Sequence, residues 1–303
     1  MDRAVGVAPK QCIWQDPSSV PPDLVYGPGG RDFVPTPPFT FVQEHLTGSQ
    51  PCVGVRDARG RLWRVKWGNE ARPEAFASRF AQACGYFAEV SHFISSGTLE
   101  GATSLARAAH YVDSEGRFVE ARFELEDPTV RMLFNEYSWA WDDNPFVGTP
   151  QLTGLKVIVM LLSNWDTKDR RDAASNTAIF EVRRSPSCYE VRYLVSDWGA
   201  ALGRWGNTFL TLTRWDPDGF AEQTPSFVGG TDGAMVQFGY EGRRTEYIAR
   251  DIPVDHVRWL CPYLGRLTET QLRDGLVVSG ATPDEAAVFA RALLDRIAQL
   301  RDL

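Results

Sequence analysis

Apolar and polar residues alternate over three stretches that begin at Phe39, namely 39–46, 53–57 and 62–67, with the two-residue period of half-buried strands. Ala58-Arg59-Gly60 between the last two predicts a hairpin. From Pro73 to Gly85 the period lengthens, and Phe76, Phe80, Ala83 and Cys84 share one face, which predicts an amphipathic helix of about three turns. Further strands are expected over 109–112 and 118–125, either side of Ser114-Glu115-Gly116. Thr149-Pro150 is a helix start, and the following run to Leu162 is apolar nearly all round, so that helix is expected to be buried. Two more strands, 177–182 and 189–195, are predicted around a turn at 185–187. The segment 209–239, with Gly219, Gly229, Gly230 and Gly233 inside it, reads as irregular. Thr282-Pro283-Asp284-Glu285 is a capping box, and the last helix is expected to reach about Leu300. The expected fold class is therefore α+β, two-lobed, with a β-rich first lobe and a mainly helical second lobe.

Eight of the 19 prolines precede residue 39. Residues 1–38 have no helical or strand period and are expected to be an arm lying along a folded domain, because they still carry Ile13, Trp14, Leu24 and Tyr26. The domains expected are this arm, a lobe over 39–122 and a lobe over 123–303. A net charge of −7 argues against a phosphate backbone as main partner. No apolar run approaches the length of a membrane span, and no basic-then-apolar segment opens the chain, so no nucleic acid, no membrane and a cytoplasmic location are expected. Five scattered cysteines without CxxC fit neither a disulfide framework nor a zinc site.

Of the 32 basic side chains only four are lysines, Lys10, Lys66, Lys156 and Lys168. Where a generic cation suffices this chain uses arginine, so a lysine inside a strand, Lys66, draws notice as a compact ammonium suited to phosphate. Glu74, on the helix that follows, is its expected partner. Gly48-Ser49-Gln50-Pro51 is a turn whose backbone donors could approach phosphate oxygens. Asp166 leaves the buried helix, Lys168 follows two positions on, then Asn176, then Asp197 after the hairpin. Each alone is accounted for by an exposed lysine, a turn or a loop cap. Together and in this order they are what phosphoryl transfer requires.

On these residues the chain resembles a family. Gly48-Ser49-Gln50-Pro51, the hairpin strands with Lys66, and the helix from Glu74 to Gly85 look like the first lobe of HipA-type kinases. Asn164-Trp165-Asp166 and Ser196-Asp197-Trp198-Gly199 are similar to segments of the wider atypical protein-kinase-like superfamily, including its Fam20 and phosphoinositide-kinase branches. Asp166-Thr167-Lys168 matches the Asp-x-Lys of ordinary kinases, and Asp197-Trp198-Gly199 stands where they have Asp-Phe-Gly. The resemblance implies a two-lobed kinase-like fold and an ATP- and Mg²⁺-dependent phosphotransferase acting on a hydroxyl of a protein or small molecule. Alternatives on the same fold are a nucleotide-binding module without turnover and a nucleotidyl (AMP) transferase. It further implies that Gly48, Ser49 and Gln50 cover the phosphates and that Lys66, paired with Glu74, contacts them. Asp166 would be the catalytic aspartate with Lys168 facing the γ-phosphate, Asn176 and Asp197 the Mg²⁺ ligands, and 120–126 the hinge. Three departures stand out: Cys52 follows the loop proline where the HipA type has a basic residue, Asn176 lies ten positions after Asp166, and Lys66 and Glu74 are only eight positions apart, close for partners on a strand and a separate helix. Asp169 and Asp172 are the alternative second ligands.

Overall fold

The computed structural model describes residues 9–48, 50–133, 138–185, 188–206 and 211–303. Ser49, Pro186, Ser187 and Phe209 lie outside the described residues. The arm contributes β1 (Lys10–Cys12). The alternating stretches then close on themselves: β2 (Phe39–His45), β3 (Cys52–Arg56), β4 (Leu62–Trp67), β5 (Ser91–Glu100) and β6 (Arg117–Glu126) form a barrel in the order β2-β3-β4-β6-β5. Its pairs are antiparallel except for a short parallel contact of β2 with β5 that seals it. Period two does the sorting: Trp63, Val65 and Trp67 of β4 join Phe39, Val53, Val55 and Phe123 in one core, while Leu62, Arg64 and Lys66 are less buried. Residues 109–112 are not a strand, since 108–110 form a single 3₁₀ turn and the partner of β6 is β5. The polar middle of β5, Ser95-Ser96-Gly97-Thr98, hides its alternation in the sequence.

Helix α1 (Ala71–Ala83) starts two residues ahead of Pro73, which is tolerated because the first four helical N–H groups have no intrahelical acceptor. It packs against β5 and β6 and carries Phe76 and Phe80 into the second core. Residues 120–126 lie inside β6, paired with both β4 and β5, so they are not a hinge. The chain crosses between lobes at Asp127-Pro128-Thr129, a turn held by Asp127 Oδ1, which accepts from the Thr129 N–H at 2.8 Å.

The second lobe begins with β7 (Val130–Leu133) and the buried α2 (Pro150–Leu161), whose first turn is capped by the Thr149 hydroxyl. β8 (Thr177–Ser185) and β9 (Cys188–Val195) form the expected hairpin, and the sheet order β1-β9-β8-β7 places the arm's strand at one edge. The segment expected to be irregular contains α3 (Pro217–Glu222), capped by Asp216, and the hairpin of β10 (Val228–Asp232) with β11 (Met235–Phe238). After α4 (Thr245–Ile248), helices α5 (Val254–Leu264), α6 (Glu269–Val277) and α7 (Pro283–Arg301) complete the lobe, α7 starting at the expected Thr282/Glu285 capping box.

The arm lies along both lobes. Trp14 Nε1 donates to Cys84 O at 2.9 Å, Gln15 N to Gly85 O at 2.9 Å, and Arg266 to Pro17 O at 2.8 Å, while Leu24 is buried. Gly85 is required there: its φ is +95°, and a Cβ would stand 2.4 Å from Trp14 Nε1.

Candidate functional site

The pairing of β4 with β6 sets Lys66 opposite Arg122 and Arg64 opposite Glu124. Four charged side chains two residues apart on neighbouring strands therefore share one face, and they pair with each other. Lys66 Nζ is 3.1 Å from Glu124 Oε2, and Arg122 Nη2 is 3.0 Å from the same oxygen; Arg64 takes Oε1. Despite its burial, Glu124 is held well below the usual carboxylate range by Lys66, Arg122 and Arg64.

The expected Lys66–Glu74 pair is not formed. Glu74 Oε2 instead lies 3.1 Å from Arg122 Nη1 and accepts the Trp198 backbone N–H at 2.6 Å. The reason is register: β6 places Glu124 diagonally beside Lys66, two residues along from its direct partner Arg122, and the planar guanidinium of Arg122 spans both carboxylates where an ammonium could not. Burial pushes the Glu74 carboxyl up to about 8, with Asp197 adding to the rise and Arg122 and the Trp198 N–H opposing it. Arg122, Glu124, Glu70 and Arg64 were not found by sequence reading. The alternation Arg122-Phe123-Glu124-Leu125-Glu126 was the available signal, since charges at every second position must share a face.

A cavity of about 310 Å³ is lined by Gly48, Gln50, Lys66, Arg122, Glu70 and Asp197. Gly48, at φ +99°, gives the loop its left-handed turn, and its carbonyl accepts from Arg107 at 2.9 Å. Glu70 pairs with Arg214 at 3.3 Å, and burial followed by the Asp197 charge raises its pKa. At Arg64 this cavity adjoins a larger one of about 620 Å³ between the barrel and the β8–β9 hairpin, walled by Leu62, Val90, Leu125, Phe180 and Leu194.

Asp166, Lys168 and Asn176 stand beside this cavity and do not line it. Asp166 Oδ2 is 3.2 Å from Lys168 Nζ and its Oδ1 is 3.1 Å from Arg243 Nε. Buried Asn176 joins the two motifs: its side-chain amide donates to Asp166 O, its N–H to Lys168 O at 2.9 Å, and its carbonyl accepts Ser196 N at 2.9 Å. Asn164 Nδ2 donates to Asp197 O at 3.2 Å, a second tie between the segments. Asp169 is fully buried against Arg171, and the partly exposed Asp172 is held by two nitrogens of Arg244 at 2.8 and 3.0 Å. Arg243 was also missed, because nothing in its sequence neighbourhood separates it from 27 other arginines.

No three His, Cys, Asp or Glu side chains among the described residues converge as a metal cluster. A Mg²⁺ ion needs fewer protein donors, usually one or two oxygens with water and substrate phosphate completing the shell. Asp197 fits that donor chemistry: its Oδ1 takes the Gly199 N–H at 2.9 Å, and the carboxylate lines the smaller cavity. Asn176 does not line that cavity and is tied to the Asp197 segment through its backbone carbonyl, which accepts Ser196 N–H at 2.9 Å. Asp197 therefore has the donor chemistry of a ligand to a magnesium-type ion.

No protein-family model and no curated protein matches the chain. Among solved structures it is similar to the Golgi casein kinase, with 10% sequence identity and a TM-score of 0.34 over 87% of this chain and 73% of that one. A likeness that loose leaves the site to be argued from its own geometry.

Proposed function

We propose that the cleft between the lobes binds ATP with Mg²⁺ and that the protein is a phosphotransferase, moving the γ-phosphoryl group to a hydroxyl of a protein or small molecule. One observation carries this reading: Gly48, Gln50, Lys66 and Asp197, from segments up to 149 residues apart, line a single cavity. A loop, an ammonium and a carboxylate around one space suit a polyphosphate and its counter-ion. The adjoining cavity, with apolar walls and Glu126 and Asp127 at its rim, suits a planar base. The resemblance to HipA-type and atypical kinases in Gly48-Ser49-Gln50, Lys66, Asp166-Thr167-Lys168 and Asp197-Trp198-Gly199 points the same way.

In this reading the acceptor oxygen attacks the γ-phosphorus, the bond to the ADP oxygen breaks, and the hydroxyl proton passes to Asp166. Lys168 faces the transferred group, Lys66 the inner phosphates, and Asp197 with Asn176 would hold Mg²⁺, which when bound offsets phosphate charge. A second reading, nucleotide binding without transfer, is favoured by the two cations, Lys168 and Arg243, that already occupy Asp166.

The test is to incubate the protein with Mg²⁺ and ATP labelled at either the α or the γ phosphate. Label from the γ position on an acceptor, lost in Asp197→Ala and Asp166→Asn, supports transfer. Label from the α position with release of pyrophosphate selects nucleotidyl transfer. Saturable ATP binding without turnover selects the binding module, and no ATP binding removes all three.

A further inference from the structure

The segment from Tyr240 to Arg244 is sewn to the loop that carries Asp166. The Tyr240 hydroxyl donates to Asn164 O at 2.7 Å, the Arg243 N–H to Trp165 O at 2.8 Å, and the Thr167 hydroxyl donates back to Arg243 O. Arg244 closes the seam with two nitrogens on Asp172. The fit makes demands on the backbone. A Cβ on Gly242 would stand 2.9 Å from Trp165 O, and Arg244 is held left-handed at φ +55°. A non-glycine residue keeps that conformation only where its surroundings over-determine it.

The side chain this seam presents to Asp166 is Arg243. Its Nε stands 3.1 Å from Asp166 Oδ1, and Lys168 Nζ stands 3.2 Å from Oδ2, so the carboxylate has one cation on each oxygen. Lys168 is largely covered, whereas the Arg243 side chain is 54% exposed. Oδ1 is buried and accepts no hydrogen bond, so Arg243 is held there by charge alone. Its two outer nitrogens donate no hydrogen bond to any described residue. An open guanidinium fork and a carboxylate oxygen with unused acceptor capacity therefore lie side by side.

We propose that Arg243 is a catalytic residue whose two outer nitrogens take two oxygens of the phosphoryl group during its transfer. This rests on the phosphotransferase reading above. A planar fork matches paired phosphoryl oxygens, which a point ammonium does not. A hydroxyl within hydrogen-bond distance of Asp166 and in line with the γ-phosphorus brings that group beside the carboxylate, within reach of both cations. Arg243, half exposed, follows the phosphoryl oxygens away from Oδ1 and leaves that oxygen for the hydroxyl proton. The acceptor oxygen bonds to phosphorus, the bond to the ADP oxygen breaks, the proton passes to Asp166, and Arg243 stays protonated throughout. Asp166 becomes neutral as the proton arrives, so the hold of the guanidinium shifts to the phosphoryl group within the step. Such a contact raises the rate and leaves ATP affinity nearly unchanged.

The test compares the wild type with Arg243→Met and Arg243→Lys. ATP affinity is read by calorimetric titration, and turnover as γ-label released to water or placed on the chain itself. In Arg243→Met both routes are expected to slow at least about 100-fold. Its ATP dissociation constant should stay within about threefold and its melting temperature within about 3 °C, because an exposed ion pair adds little to the fold. Arg243→Lys is expected to stay below about a tenth of the wild-type rate, since it keeps the charge without the fork. Unchanged turnover in Arg243→Met overturns the inference and leaves the phosphotransferase reading standing. Full rescue by lysine does the same, because only a charge beside Asp166 would then matter. Loss of label on the chain with hydrolysis intact also overturns it, since Arg243 would then hold the acceptor. A wild type that releases no γ-label by either route overturns the phosphotransferase reading itself, and this inference with it.

Discussion

Glu74 of α1 accepts the backbone N–H of Trp198 at 2.6 Å and the same oxygen lies 3.1 Å from Arg122, so helix, barrel and the Asp197 loop meet at one atom. Burial raises this carboxyl from its ordinary 4.5 to about 8. The folded protein thus binds the proton more tightly than the unfolded chain. The stabilisation is complete below about pH 4.5 and is lost as pH rises through about 8. Glu74→Gln keeps the acceptor for Trp198 and removes the titration. Urea unfolding across pH 5 to 8.5 should show the wild type losing about 3–5 kcal/mol more than the variant. Parallel pH profiles would show that Glu74 holds no proton in the fold.

Lys66 shares Glu124 with two arginines, so its removal leaves that carboxylate paired. Lys66→Met is expected to change stability by less than about 1 kcal/mol while weakening ATP at least tenfold, read by calorimetric titration. Lys66→Arg is also expected to bind ATP more weakly, because a planar fork does not reproduce a point ammonium. Equal affinity for ATP in all three proteins would remove Lys66 from the site.

The parts of this arrangement that could be read in the sequence are those encoded locally. Trp63, Val65 and Trp67 alternate within six residues and announce a half-buried strand, and Thr282 and Glu285 announce a helix start, because both patterns close within one turn or one pleat. Asp166, Lys168 and Asn176 and then Asp197 were visible as an order of residue types, and the hydrogen bonds of Asn176 to Asp166 and Ser196 bring that order into one place. The partner of Lys66 was not legible. It depends on which residue of β6, 58 positions away, falls beside it, and register over that distance is set by closure of the barrel. Strand β5 was hidden for a related reason: Ser95, Ser96 and Thr98 are all exposed, which erases the alternation, and only its pairing with β6 makes it a strand.

Arg296 joins α7 to the end of α2 and to α3 through four oxygens. Arg296→Met fills the volume but removes the Arg296 donor from Leu161 O and leaves Phe220 O with only the long contact from the Thr224 hydroxyl at 3.4 Å. The expected loss is about 2–4 kcal/mol in chemical denaturation, with no change in ATP affinity. A variant as stable as the wild type would mean that these carbonyls find other donors.

The three candidates for a second metal ligand separate by what already holds them. Asp169 is closed by Arg171, Asp172 by Arg244, and Asn176 alone has its side chain tied to the Asp166 segment and its backbone to the start of the Asp197 motif. Asp172→Asn weakens a partly exposed pair and is expected to leave turnover within about twofold, at a stability cost of under about 1 kcal/mol. Asn176→Ala is expected to lower turnover by about 10–100-fold and to raise the Mg²⁺ concentration needed for half-maximal activity. Asn176→Asp, which keeps an oxygen and adds charge, should recover part of the Mg²⁺ response while losing the hydrogen bond to Asp166 O. Magnesium titrations of the three variants decide the assignment: a shifted midpoint in Asp172→Asn with an unshifted one in Asn176→Ala would transfer the ligand role to Asp172.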